Sequence, residues 1–221
     1  MILTPLDRGT LPDKLAAFGY AVAGHLLARA VFERIGATWT ADGAFELSTD
    51  AQHHAQALDL CKSFGFGTID IDPHDYFTWD GQAVATRVEA SLLVHEIGHY
   101  QSAAPARRTI IDFALGGGPE TGRKAEANAV RAVSDLQADI EEGMASLLGI
   151  LWEAELGQSA VPAFLEQNWL ENETSDHNIR HFLKMTTFLA SHGLIDAAGR
   201  PTRNLRQEDD SQFVAGWQRL G

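Results

Sequence analysis

The sequence predicts a mainly α-helical chain with a small β element, an α+β fold, and three observations carry that prediction. Apolar residues recur at helical spacing along most of the chain. One stretch, 65–72, alternates apolar and polar side chains as a half-buried strand does. The chain has 221 residues, 45% of them hydrophobic, which is enough for one domain, or one with an appended lobe, to bury a core without staples.

Taking the elements in order, Leu15, Phe18, Val22, Leu26 and Ala30 follow Pro12 at helical spacing, and Gly36 is a plausible stop. The stretch 15–32 is the only membrane-like segment, but it carries His25 and Arg29 and reads as one buried helix. A hairpin is expected around Asp42-Gly43, and Thr49-Asp50 offers a cap for a helix through Leu58 and Leu60. The strand at 65–72 ends at Pro73. Residues 83–100 form a helical pattern, a glycine-rich irregular stretch spans 103–122, and the longest helical signal runs over 124–152. Further helices are expected near 160–170 and 176–191, with a late amphipathic turn at Phe213 and Trp217.

There are 30 acidic and 17 basic side chains, a formal net charge of −13. That balance argues against nucleic acid as a partner, because phosphate neutralisation needs clustered Lys and Arg. With Cys61 alone no intramolecular disulfide can form, and its apolar neighbours suit a core thiol in a reducing compartment. The first 14 residues lack the pattern of a signal peptide, so the expected location is cytoplasmic and no membrane partner is expected.

His95-Glu96-Ile97-Gly98-His99 is an HExxH motif. On a helix the two histidines lie one above the other and can reach one metal ion, with Glu96 close to metal-bound water as a general base. A solvated polar patch is the bland alternative, but Leu92, Leu93, Val94 and Ile97 surround the motif, and unpaired polar groups on an apolar face would cost several kcal/mol. A third ligand is expected on the helix at 124–152. Taking Val133, Leu136, Ile140, Met144 and Leu147 as its buried stripe, Glu141 falls at the edge and is the expected ligand, and Glu126 is the reserve. Asp135, Asp139 and Glu142 project largely away, with Glu142 kept as an alternative.

Arg107 and Arg108 either hold an acidic substrate group or pair with Asp112. His177 and His181, four apart near a helix start capped by Thr174 or Ser175, suggest a surface helix ahead of a second ion site. The motif divides the chain into a metal-binding catalytic domain, 1–158, and a C-terminal helical lobe, 159–221, either separate or part of the same domain. The order of strand then motif helix is similar to that of zincins, so the HExxH helix is expected beside a short sheet.

The longer run comprises Ala90-Ser91, His95-Glu96-Ile97-Gly98-His99-Tyr100, Ala106-Arg107-Arg108, Ile111-Asp112-Phe113 and Pro119. It resembles the elongation factor P hydroxylase family. The resemblance spans 90–122 and implies a metal-dependent, iron-using oxygenase that hydroxylates a modified lysine of that translation factor. It assigns His95, Glu96 and His99 to the metal motif and Arg107, Arg108 and Asp112 to shared positions. The aromatic segment that follows Asp-Phe in the family is here Ala114-Leu115-Gly116-Gly117-Gly118.

Two functions follow. The first is a non-haem Fe(II) oxygenase hydroxylating a side chain of a protein or peptide. The second is a Zn(II) hydrolase in which Glu96 activates water and the strand at 67–72 lies along an extended peptide. Two histidines and a carboxylate serve either metal. A closed structural site is disfavoured, since such sites take four ligands, often cysteines, and none lies near the motif.

Overall fold

The computed structural model describes residues 9–40, 46–170 and 175–220. It is mainly helical with one small parallel sheet. In order, the elements are α1 (Leu11–Val22), α2 (Leu26–Gly36), α3 (Ala51–Ser63), β1 (Gly67–Ile69), β2 (Ala83–Ala85), α4 (Ala90–Ser102), α5 (Lys124–Ala129), α6 (Asp135–Glu155), α7 (Val161–Glu166), α8 (Asp176–Ser191) and α9 (Asp210–Arg219). No helix among the described residues is long and apolar enough to cross a membrane.

The chain forms two compact units: Met1–Leu47 with Ile150–Thr202 and Leu220–Gly221, and Ser48–Gly149 with Arg203–Arg219. A division at 158 is therefore not the one the contacts make. The first segment groups with the residues after 150, and 203–219 return to the unit that holds the HExxH helix.

In the first unit α1, α2, α7 and α8 pack around an aromatic centre, with Phe18 4.9 Å from Phe32 and edge-on to Phe164 and Phe182 at 5.7 and 5.2 Å. The single helix expected over 15–32 is two. His25 is extended (φ −115, ψ 95), Leu26 stands exposed, and the buried face resumes at Ala28, Val31, Phe32 and Ile35. Apolar residues on every side of the break, together with the helix-weakening Gly24, hid the change of phase. The hairpin expected at Asp42-Gly43 lies outside the described residues.

Glu153 is buried here with Oε2 unpartnered, and burial pushes its carboxyl up to about 8. An acid whose folded value exceeds the ordinary 4.5 favours folding only while it is protonated in both states. Stability should therefore fall between about pH 4.5 and pH 8. Glu153→Gln is expected to flatten that decline, read as a smaller loss of thermal midpoint between pH 5 and 8 than in the parent. An unchanged slope would assign the loss to other groups.

In the second unit α3 lies along α4, with Cys61 buried between them and its thiol pushed up to about 12 by that burial. This is the chemistry of a core thiol rather than a nucleophile. Asp50 caps α3 by accepting the Gln52 N–H at 2.7 Å. β1 pairs with β2 in parallel, Gly67 with Ala83, Thr68 with Val84 and Ile69 with Ala85. The helix expected over 83–100 thus starts only at Ala90: Ala83–Ala85 pair with β1 instead, with the strand-favouring Val84 buried at the centre of the stretch. The signal at 124–152 is likewise two helices. Ser134 starts the second, its hydroxyl accepting the Gln137 N–H at 3.2 Å and its carbonyl the Ala138 N–H at 2.9 Å. Leu136, counted in the buried stripe, stands exposed.

Candidate metal centre

The site begins with how closely two helices approach. A Cβ added to Gly98 would lie 2.5 Å from the Ala145 carbonyl oxygen and 2.7 Å from its Cα, and one added to Gly149 would lie 3.1 Å from His95 Cα. Glycine at both crossing points lets the backbones of α4 and α6 touch, and that contact faces the HExxH turn toward the α6 turn just before Ala145.

There His95 Nε2 lies 3.2 Å from Glu142 Oε1 and His99 Nε2 3.4 Å from Glu142 Oε2. Ligand atoms of all three residues fall within 4.8 Å of one another, and among the described residues this is the one His/Cys/Asp/Glu group so arranged. Two imidazole nitrogens and a carboxylate aimed at one point are a donor set for a divalent cation. Burial opposes charge on His99, but the hydrogen bond and charge of Glu142 outweigh it and carry the imidazole up to about 9. Burial likewise works against the Glu142 anion, yet the two imidazoles hold its carboxyl well below the usual carboxylate range.

Glu96 is buried and lines the same cavity, and burial pushes its carboxyl up to about 8 despite the pull of His99. The cavity, about 80 Å³, is also walled by Thr78, Leu92, Phe113, Leu115, Pro119 and Glu120. Gly116 (φ +98) and Gly118 contribute backbone to the wall, and the Asn128 side chain accepts the Gly117 N–H at 3.0 Å. The glycine run is thus a turn at the site.

The carboxylate that meets the two imidazoles is Glu142, not the expected Glu141. Glu141 is fully buried on the other side of α6, where Oε1 accepts from Arg107, from Gln137 Nε2 at 2.8 Å and from Arg206 Nη1 at 3.4 Å. The buried stripe selected the carboxylate that packs inside the protein. Glu142 instead turns its carboxylate to the two imidazoles at the cavity. The reserve, Glu126, lies on α5 and pairs with Arg123 in solvent.

Arg107 and Arg108, expected to hold a substrate group or to pair with Asp112, and Asp112 itself are all engaged by the protein, the arginines with partners other than Asp112. Arg107 donates to Glu141, to Asp210 from Nε at 2.9 Å and to the Phe113 carbonyl at 2.6 Å. Arg108 caps the end of α4, donating to the carbonyls of Tyr100 and Ala103, each at 3.1 Å, and of Arg206. Asp112 borders the cavity, but its carboxylate accepts from the Thr78 hydroxyl (3.0 Å), the Trp79 N–H (3.2 Å) and the Thr121 hydroxyl (2.7 Å). That grip holds three successive non-glycine residues, Asp112, Phe113 and Ala114, at φ of 41, 52 and 59. Left-handed backbone costs roughly 1–2 kcal/mol per residue, and such strain collects at functional sites.

Sequence reasoning ranked Glu142 below Glu141 and missed Thr78, Thr121, Arg206 and Asp210. The Ser134-x-x-Gln137 cap could have fixed where α6 starts, and Gly98 with Gly149 could have fixed its rotation. His181 stacks on Trp169 at 5.4 Å, and His54 bonds the Thr86 carbonyl at 2.9 Å. Comparison of the chain with protein-family models, curated proteins and solved structures finds no significant match in any of the three.

Proposed function

We propose that this chain is a metal-dependent HExxH enzyme that hydroxylates a side chain of a protein or peptide, as the resemblance to elongation factor P hydroxylases implies. The observation that carries the metal reading is the convergence of His95 Nε2, His99 Nε2 and the Glu142 carboxylate, with Glu96 on the same cavity. Two histidines and one carboxylate suit Fe(II) with open positions, and Zn(II) equally. Fe(II), when bound, supplies the redox centre for dioxygen chemistry.

The cavity walls bear on which chemistry this is. A peptidase lays an extended backbone along a strand, but no residue of β1 or β2 lines this cavity. A small pocket with apolar walls at Leu92, Leu115 and Pro119 suits one inserted side chain. Its acidic side chains are Glu96, Asp112, Glu120 and Glu142, and no Lys or Arg lines it, which favours a cationic side chain such as a lysine derivative on a basic protein surface. Glu120 has room to meet that charge, and Glu96 holds or accepts a proton at its carboxyl beside the reacting atoms. The second reading, a zinc hydrolase, rests on the same position of Glu96, which suits a general base for water.

Metal analysis of protein purified without added metal separates the two. Iron at about one equivalent is the expected result, with oxygen consumed when a lysine-bearing protein substrate and a two-electron reductant are added, one oxygen atom entering the C–H bond and the other leaving as water. Stoichiometric zinc with peptide cleavage, abolished by Glu96→Gln, would replace hydroxylation with hydrolysis.

A further inference from the structure

A histidine that ligates a metal ordinarily has its ring fixed by a hydrogen bond from the other nitrogen to a carbonyl or carboxylate. His99 lacks this: Nδ1 is buried and has no hydrogen-bond partner. Its ring is fixed by packing instead. Phe113 stacks on it with centroids 5.7 Å apart and planes at 26°, and the His95 ring meets it edge-on at 4.6 Å and 83°.

Phe113 is itself held on every side. Trp79 stacks on it, 5.4 Å away at 7°, and the Trp79 indole N–H is tied to the Arg108 carbonyl at 2.8 Å. Its own carbonyl accepts from Arg107, and its left-handed backbone lies between Asp112, gripped by Thr78 and Thr121, and the fully buried Ala114. A right-handed or extended Phe113 would send the ring elsewhere, so the strain of this turn is spent on the face it presents to His99.

We propose that Phe113 is a positioning residue for the ligand His99, its stacked ring replacing the hydrogen bond that elsewhere fixes the imidazole plane. The inference rests on the metal reading above. Removing the ring frees His99 to rotate about its side-chain bonds, so Nε2 leaves the point it shares with His95 Nε2 and the Glu142 carboxylate.

The test uses the full chain, stripped with chelator and titrated with Co(II), read by the visible ligand-field absorption and by the dissociation constant. Phe113→Leu keeps an apolar side chain and removes the stack. It is expected to weaken Co(II) binding by about tenfold to a hundredfold, in the range of lost ligand-orienting partners, and to alter the absorption band. Phe113→Tyr, which keeps the ring, is expected to restore both. Phe113→Met carries the same expectation should the leucine variant not fold. Wild-type affinity and spectrum in a folded leucine or methionine variant would overturn the inference, whatever the change in thermal midpoint, because a packing role alone moves stability and leaves the ligand field intact. If the parent protein takes up no Co(II), the metal reading itself falls; if the parent binds and the variants match it, positioning alone falls.

Discussion

Glu141→Ala is expected to destabilise the second unit by about 3–5 kcal/mol, the usual cost of leaving buried charges without their partner, and Glu142→Ala is expected to cost the metal-free protein less, because without Glu142 the His99 imidazole can shed its proton as the arginines cannot. The two residues are adjacent on α6 but face different surroundings. Glu141 neutralises Arg107 and Arg206, which are buried with it, and Arg206 lies 3.9 Å over the Phe213 ring. Asp210 accepts from both arginines and from Gln137 but is one carboxylate facing two guanidiniums. Glu142 supports no such network, and its other contacts are the two imidazoles. The reciprocal readout is metal: Glu142→Ala is expected to abolish stoichiometric binding, and Glu141→Gln, which keeps shape and an acceptor, is expected to retain it in whatever fraction folds. Metal loss in folded Glu141→Gln with full binding in Glu142→Ala would restore Glu141 as the ligand and reverse the assignment.

Gly98→Ala is expected to lower the thermal midpoint and metal affinity together. In an ordinary helix the substitution gains about 1 kcal/mol of propensity. Here the methyl would sit 2.5 Å from one backbone oxygen of α6 and 2.7 Å from a Cα, and neither belongs to a side chain that can rotate away. The helices must part, at an overpacking cost of about 1–3 kcal/mol. Because the parting moves α4 against α6, it separates His95 and His99 from Glu142, so metal affinity should fall along with the thermal midpoint. Parallel measurements of both on Gly98→Ala test this, and a variant with a normal midpoint and normal affinity would mean that the crossing tolerates a wider gap. Gly149, whose Cβ would meet His95 at 3.1 Å, is expected to tolerate alanine better.

These two residues also mark what a sequence can reveal of such a site. The HExxH helix was legible because ligand spacing on one helix is local, and α8 was legible over Asp176–Ser191 because its apolar face is unbroken and Ser175 caps it. A strand was legible near β1, although β1 covers only Gly67–Ile69 of the expected 65–72 and does not bury alternate residues, and β2 was not legible, since its one strand-favouring residue, Val84, stands between two alanines. Glu142 was hidden for a related reason. Burial periodicity reports which face of α6 meets the core, whereas the ligand is chosen by where α4 crosses, a fact held in Gly98 and Gly149 and in no stripe. Arg107, Arg108 and Asp112 fell where a motif-based reading put them in the chain, but their chemistry is internal: they tie the loop after α4 to partners as distant as Asp210, which no local pattern announces.

The clamp around Glu141 ties the proposed metal centre to residues far along the chain. His95, His99 and Glu142 are all synthesised well before Arg206 and Asp210, yet the helix that carries Glu142 is secured through contacts spanning 65 residues from Glu141 to Arg206 and 103 from Arg107 to Asp210. On the proposed metal reading, the glycine crossing brings Glu142 to the histidines and the clamp holds it there, so a site built from residues 95–142 leans for its rigidity on a side chain that follows Glu141 by 65 residues.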